Sequence, residues 1–100
     1  MHVSITHIGV RAYPVRSVQL TARADDRAFT VDLDQDAIQQ VCGDARDEQA
    51  IRLALTRNQE ALRVAIAAYV SARGVPLDDH FLLSWRDFSE PNRGLLAPGT

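Results

Sequence analysis

The chain has 100 residues, of which 46% are hydrophobic and 24% are charged, and its formal net charge is −2. This length and composition are typical of one soluble globular domain and exclude disorder of the whole chain. A nucleic-acid partner is not expected, because the charge is near neutral and no stretch of basic residues stands out.

Residue content and termini also bear on where the protein works. Cys42 is the only cysteine, so no disulfide can form within the chain. Residues 1–4 lack the basic segment and following apolar run with which a signal peptide begins. No apolar run approaches the roughly 20 residues that a membrane-spanning helix requires. We therefore expect a cytoplasmic protein without a membrane partner.

The first third of the sequence predicts three strands. Residues 3–12 alternate between apolar and polar, with a change of phase near Gly9 that predicts a register shift or bulge. Apolar and polar residues alternate in segments 18–24 and 29–33, on either side of a short acidic turn. This pattern predicts an antiparallel hairpin with one buried face and one solvent-exposed face. The polar positions of this hairpin are Gln19, Thr21, Arg23, Thr30 and Asp32.

Two helices are predicted after the strands. Asp34 is placed to cap a short helix, and Gly43 is placed to end it. Residues 44–73 predict a single long helix, which Gly74 and Pro76 terminate.

The long helix carries an apolar arc that covers more than half of its circumference, wider than the stripe of about 100° that one core requires. One side is expected to face the sheet through Ile51, Leu55, Leu62, Ile66 and Tyr69. The other side, which we term the helix flank, comprises Leu53, Arg57, Asn58, Ala61, Val64 and Ala68. The width of the arc predicts a homodimer that associates through the helix flank, with another protein as a possible partner. The alternative is that the sheet, the short helix and the C-terminal residues cover the arc within one chain.

Asn58 is a polar residue near the centre of this apolar arc. One interpretation is structural, with the amide hydrogen-bonded to a backbone or side-chain group in the core. A second gives Asn58 a role in partner specificity, as buried polar positions have in coiled coils. A contact with a ligand is the third.

Residues 81–85 predict a closing strand that includes Trp85. The expected fold is a two-layer α+β domain over residues 1–88. In it a small antiparallel sheet, built from the three N-terminal strands and the late strand, packs against one short and one long helix. Residues 89–100 are rich in Pro and Gly and predict a loosely ordered tail.

This order of elements resembles a small bacterial family that is classed only as a domain of unknown function. The resemblance runs from about Val18 to Phe88. It rests on a hairpin leading into a short helix at residues 29–41, a long amphipathic helix at 48–72, and a late strand that ends near an acidic residue at 81–87. It implies the fold and carries over no activity.

The sequence predicts no catalytic residue, no metal site and no cofactor. His80 follows two aspartates and precedes Ser84, but no nucleophile-elbow pattern and no Gly-rich phosphate loop is present. We therefore expect a non-enzymatic interaction or structural protein. One alternative is a regulatory binding module for a protein or nucleic-acid partner, for which four arginines would have to converge: Arg11, Arg16, Arg23 and Arg27. The other alternative is a small enzyme with a pocket around His80.

Overall fold

A computed structural model describes residues 2–88 of the chain. The elements, in chain order, are β1 (Val3–Arg11), β2 (Ser17–Ala24), β3 (Arg27–Leu33), α1 (Gln35–Cys42), α2 (Glu48–Arg57), α3 (Gln59–Arg73), β4 (His80–Leu83) and a 3-10 helix (Trp85–Asp87). The tail predicted for residues 89–100 lies outside the described residues. None of the described helices is long and apolar enough to cross a membrane.

The four strands form one sheet in the order β1-β2-β3-β4. The predicted α+β class is confirmed, with the helices packed on one face of the sheet. The prediction of an antiparallel sheet is wrong for the last strand, because β4 pairs in parallel with β3. The connection through the helices brings the chain back to the end of the sheet at which β3 begins, which a parallel pair requires.

The register of β1 shifts between Ile5 and His7 and not at Gly9, where the sequence placed the irregularity. Thr6 is the extra residue, and its hydroxyl donates to the backbone oxygen of Thr21 at 3.2 Å. Gly9 pairs in register with Gln19. The bulge explains the change of phase, because one inserted residue reverses the face to which each later side chain points.

The core lies between one face of the sheet and the helices. The alternation predicted for the hairpin is confirmed, since every second residue is buried along β2 and, from Phe29 onward, along β3. The buried strand residues are Val18, Leu20, Ala22, Ala24, Phe29, Val31 and Leu33. The largest buried helix residues opposite them are Ile38, Ile51, Leu55, Leu62 and Ile66.

The predicted long helix is two helices, and the residue between them is Asn58. Its backbone angles, φ −106° and ψ 19°, depart from those of an α-helix. The side-chain Nδ2 of Asn58 donates to the backbone oxygen of Ala54 at 2.9 Å and lies 3.5 Å from that of Val41. A short polar side chain that bonds to nearby backbone groups competes with helical hydrogen bonding. The structural interpretation of Asn58 therefore fits its surroundings, because the residue is only 3% exposed.

Both ends of this helical region are capped. The side chain of Asp47 accepts a hydrogen bond from the backbone N–H of Ala50 at 2.8 Å, so α2 begins at Glu48 and not at residue 44 as predicted. Gly74 ends α3 with φ 74°, a conformation in which residues other than glycine are strained. The predicted end of the helix is thus confirmed.

The prediction that Trp85 lies in the closing strand is wrong. Strand β4 ends at Leu83, and Trp85 begins the 3-10 helix, where its ring lies 5.0 Å from that of Phe88. Ser84 separates the two elements and forms a capping box with Asp87. Its backbone N–H donates to the Asp87 carboxylate at 2.9 Å. This cap favours a turn over continued strand geometry.

Candidate functional site

The face of the sheet opposite the helices carries the side chains that alternate with the buried ones. We term it the open face. Strand register and alternation assign to it Ser4, His7, Gly9, Arg11, Ser17, Gln19, Thr21, Arg23, Ala28, Thr30, Asp32, His80 and Leu82. Most of these residues are polar, and Leu82 is the large apolar one, at 56% exposed.

An open cavity of about 510 Å³ lies at one end of this face. We term it the hollow and define it by five open-face residues: Gly9, Arg11, Ser17, Gln19 and Asp32. Residues that alternate with these five along the strands complete the lining. Register holds the five together, because Arg11 pairs with Ser17, Gly9 pairs with Gln19, and Gln19 pairs with Asp32.

Gly9 leaves the space in which a side chain would otherwise stand. A Cβ atom built on Gly9 would lie 3.4 Å from the backbone oxygen of Gln19, which is close to ordinary van der Waals contact. The φ angle of Gly9 is not positive, so its backbone conformation does not require glycine. A glycine inside a strand otherwise weakens it and often marks a place where a ligand or another backbone approaches closely.

Arg11 is an exposed cation at the rim of the hollow. Its guanidinium makes no hydrogen bond or ion pair with any other residue between 2 and 88. Arg16, five positions later, differs. Its guanidinium donates to the backbone oxygens of Gly43 and Ala45 at 2.8 and 2.9 Å and to the side-chain oxygen of Gln39 at 2.7 Å. Arg16 thus satisfies two carbonyl groups in the segment that follows α1, while Arg11 keeps its donors available.

Asp32 forms the opposite side of the hollow and is held from two sides. Its Oδ2 lies 2.6 Å from Nε2 of His80, and its Oδ1 accepts a hydrogen bond from Nε2 of Gln19 at 3.2 Å. A carboxylate offers about four lone-pair directions, and these two contacts occupy one on each oxygen. The Asp32 carboxylate is therefore fixed in position and still has room to accept a further donor.

The His80–Asp32 pair has the form of an oriented imidazole, one component of a catalytic triad. The other ring nitrogen of His80 receives no hydrogen bond from a Ser, Thr or Cys side chain within residues 2–88. The hydroxyl of Ser84 bonds to Asp87 at 3.1 Å instead. The acidic neighbour Asp79 is engaged by Arg27 at 2.6 Å. In this part of the chain no three His, Cys, Asp or Glu side chains lie close enough to hold a metal ion.

The helix flank is only partly at the surface. Leu53 is 51% exposed, Arg57 and Ala68 are exposed, and Val64 is half-buried. Asn58 and Ala61 are 3% and 1% exposed, so these two cannot contribute to a contact surface without a rearrangement. Burial of Asn58 agrees with its place near the centre of the apolar arc, so the exposed part of the helix flank is narrower than predicted. Leu53 borders a shallow groove of about 240 Å³ with Gln49, Arg52 and Thr56.

The four arginines whose convergence would favour a regulatory module do not form one patch. Arg11 pairs across from Ser17, where β2 begins, and Arg23 pairs with Ala28 near the end of β2. Those two ends are separated by about 20 Å at 3.3 Å per residue. Arg16 binds the end of α1, and Arg27 binds Asp79 and the backbone oxygen of Pro76.

Cys42 lies on the helix side of the sheet and is 0% exposed. Burial raises the pKa of the Cys42 thiol above its ordinary value, and the positive charge of Arg16 opposes that rise. A buried thiol with a raised pKa packs as a small apolar group and is a poor nucleophile.

The solvent-exposed face of the hairpin was predictable from the sequence, but the hollow was not. Gln19 and Asp32 occupy positions that were predicted to be solvent-exposed, but their pairing depends on the register between strands. Gly9 was the sequence feature that could have indicated the hollow, because it is a glycine within an alternating segment. Its position was instead interpreted as the site of a register shift or bulge. Strand register placed Arg11 and Ser17 beside it.

No protein-family model, no curated protein and no solved structure matches this chain.

Proposed function

We propose that this protein is a non-catalytic binding domain of the cytoplasm and that the hollow on its open face is the ligand site. The observation that carries the proposal is Arg11, an exposed guanidinium without a partner in the described residues, beside a cavity that Gly9 keeps open. Ligand sites combine a concave surface with a few fixed polar groups. The volume of about 510 Å³ is in the range of small-molecule sites.

The edges of the sheet favour the open face over strand addition as the mode of binding. Strand β1 contains a bulge, and the guanidinium of Arg52 donates to the backbone oxygen of Ile8. Strand β4 has four residues. Bulges, charged side chains and short strands are the means by which proteins prevent pairing at sheet edges.

A Gly9→Val variant tests the proposal, because valine suits a strand and would fill the hollow. We expect small polar fragments, screened by ¹H–¹⁵N NMR, to shift the amides of Gln19 and Asp32 in the wild-type chain and to leave them unshifted in the variant. The melting temperature and far-ultraviolet circular dichroism report whether the variant is folded. Thr21→Val is the control, since it places a valine on the same face of the same sheet outside the hollow.

Two results would count against this function. One is a fragment library that produces no shifts around the hollow. The other is a set of shifts that the folded Gly9→Val variant retains at full size.

A second candidate is a homodimer through the helix flank. Leu53 favours it, because a leucine that is 51% exposed beside a shallow groove can contact the same residue of a second copy across a two-fold axis. We expect a dimer in sedimentation velocity at tens of micromolar and a monomer for Leu53→Glu. Leu82→Glu, on the opposite side of the domain, is the control, and a monomeric wild-type chain would eliminate this candidate.

A further inference from the structure

We propose that the hollow binds a small zwitterion of the amino-acid type, with its carboxylate at Arg11 and its ammonium group at Asp32. This proposal rests on the proposed ligand site and identifies the chemistry of its ligand. It follows from the two opposite charges that line one cavity without contacting each other.

The end at Arg11 suits a carboxylate. A guanidinium presents paired N–H donors that match the two oxygens of a carboxylate. Ser17 stands directly across from Arg11 on β2 and is exposed, so its hydroxyl can donate to the same group.

The end at Asp32 suits an ammonium group. His80 and Gln19 hold the carboxylate in place and leave lone pairs directed away from those two contacts. The same negative charge disfavours a phosphate or another multiply charged anion, because like charges within a few ångströms repel. The hollow therefore discriminates between a zwitterion and a simple anion.

The separation of the two ends fits a compact ligand. Arg11 and Asp32 lie two strands apart and two residues apart along the strand direction, which places their Cα atoms roughly 12 Å from each other. An arginine side chain is long enough to reach across about half of that distance. The remaining gap accommodates a molecule whose two charges are a few bonds apart, and Gln19 lies between the two ends.

The test is an NMR titration of the ¹⁵N-labelled full chain with each standard amino acid in turn. For the tightest of them, the N-acetyl derivative, which lacks the ammonium charge, and the amide derivative, which lacks the carboxylate, are then titrated. Inorganic phosphate is the anion control. We expect saturable shifts of the Gly9, Gln19 and Asp32 amides with the amino acid, and binding at least fivefold weaker for each derivative and for phosphate.

Variants separate the two ends of the hollow. Arg11→Gln is expected to weaken binding of the amino acid at least tenfold. Asp32→Asn is expected to weaken binding of the amino acid and not to weaken binding of the N-acetyl derivative. Arg23→Gln is the matched control, since it removes an exposed arginine from the other end of the open face. Its affinity should equal that of the wild-type chain.

The outcomes distinguish this inference from the proposed function. If the N-acetyl derivative or phosphate binds as tightly as the amino acid, the inference of a zwitterionic ligand is wrong and the hollow remains a ligand site. If amino acids do not bind but other fragments shift the same amides, the inference likewise fails alone. If nothing binds in the hollow, both proposals fail.

Discussion

The two faces of this sheet are built from the same strands and differ in what their side chains do. Along β2, Val18, Leu20, Ala22 and Ala24 are buried against the helices, and Ser17, Gln19, Thr21 and Arg23 alternate with them on the open face. One face thus supplies apolar burial, which dominates stability. The other face lies outside the core and is free to carry recognition groups. Substitutions on the two faces should therefore affect different measurements.

The largest effect is expected for a pair of adjacent leucines in β4. Leu83 is 0% exposed and Leu82 is 56% exposed on the open face. Leu83→Ala should lower the free energy of unfolding by about 2–5 kcal/mol, because it leaves a cavity in the core. Leu82→Ala should change it by roughly 0.5 kcal/mol or less. Urea denaturation measures both, and similar losses for the two variants would contradict the division between faces.

Two arginines at one end of the sheet give the next comparison. Arg16→Gln should cost about 1.5–3 kcal/mol, because charged hydrogen bonds to the backbone oxygens of Gly43 and Ala45 are lost. Arg11→Gln should change stability by roughly 0.5 kcal/mol or less, since the Arg11 side chain is exposed and unbonded in the described residues. Thermal and urea denaturation of both variants test this, and a stability loss for Arg11→Gln comparable to that of Arg16→Gln would disprove it.

The third prediction concerns Asn58, the polar residue that is buried within the helical layer. Asn58→Leu should lower the free energy of unfolding by about 1–3 kcal/mol, because the amide that bonds to Ala54 and lies near the Val41 carbonyl is removed from a buried position. Sedimentation should be unchanged. A variant that is more stable than the wild-type chain would refute the structural interpretation, and an altered association state would favour the specificity interpretation.

The smallest effect concerns the thiol of Cys42. Because burial raises its pKa, the folded state holds the proton more tightly than the unfolded state. The contribution of Cys42 to the free energy of unfolding is therefore fully present below the pKa of the unfolded thiol. It is lost as the pH rises through the pKa of the folded thiol. Labelling with a disulfide reagent at pH 8 should be at least about tenfold slower in the folded chain than in urea, since both access and thiolate content are lower. Equal rates would contradict burial of this thiol.

Much of the fold followed from local patterns. Alternation identified the β2–β3 hairpin and its solvent-exposed face, and Asp34, Gly43 and Gly74 marked helix ends where the structure has them. These features were predictable because each depends on residues close together in sequence. The start of α2 was missed by a few residues because Asp44 and Asp47 both suit a cap.

Features that depend on distant residues were not predictable. The break at Asn58 has a local bond to Ala54, but no Gly or Pro marks it in the sequence, and its buried surroundings include the Val41 oxygen of another helix at 3.5 Å. The direction of β4 depends on where the helices return the chain, since its own residues alternate in the same way for either direction. The hollow required the register that places Arg11 across from Ser17 and Gln19 across from Asp32. The sequence contained these residues but not their pairing.

The parallel pairing of β3 with β4 has a consequence for the order in which the domain assembles. The first three strands form a meander of near neighbours, whereas Thr30 and its partner His80 are 50 positions apart in the chain. Closing so long a connection costs entropy before any contact compensates for it, so we expect β4 to join after the meander. Amide hydrogen exchange should accordingly be faster in β4 than in β2. All five residues that define the hollow lie on these first three strands, so we expect them to be in register before β4 joins.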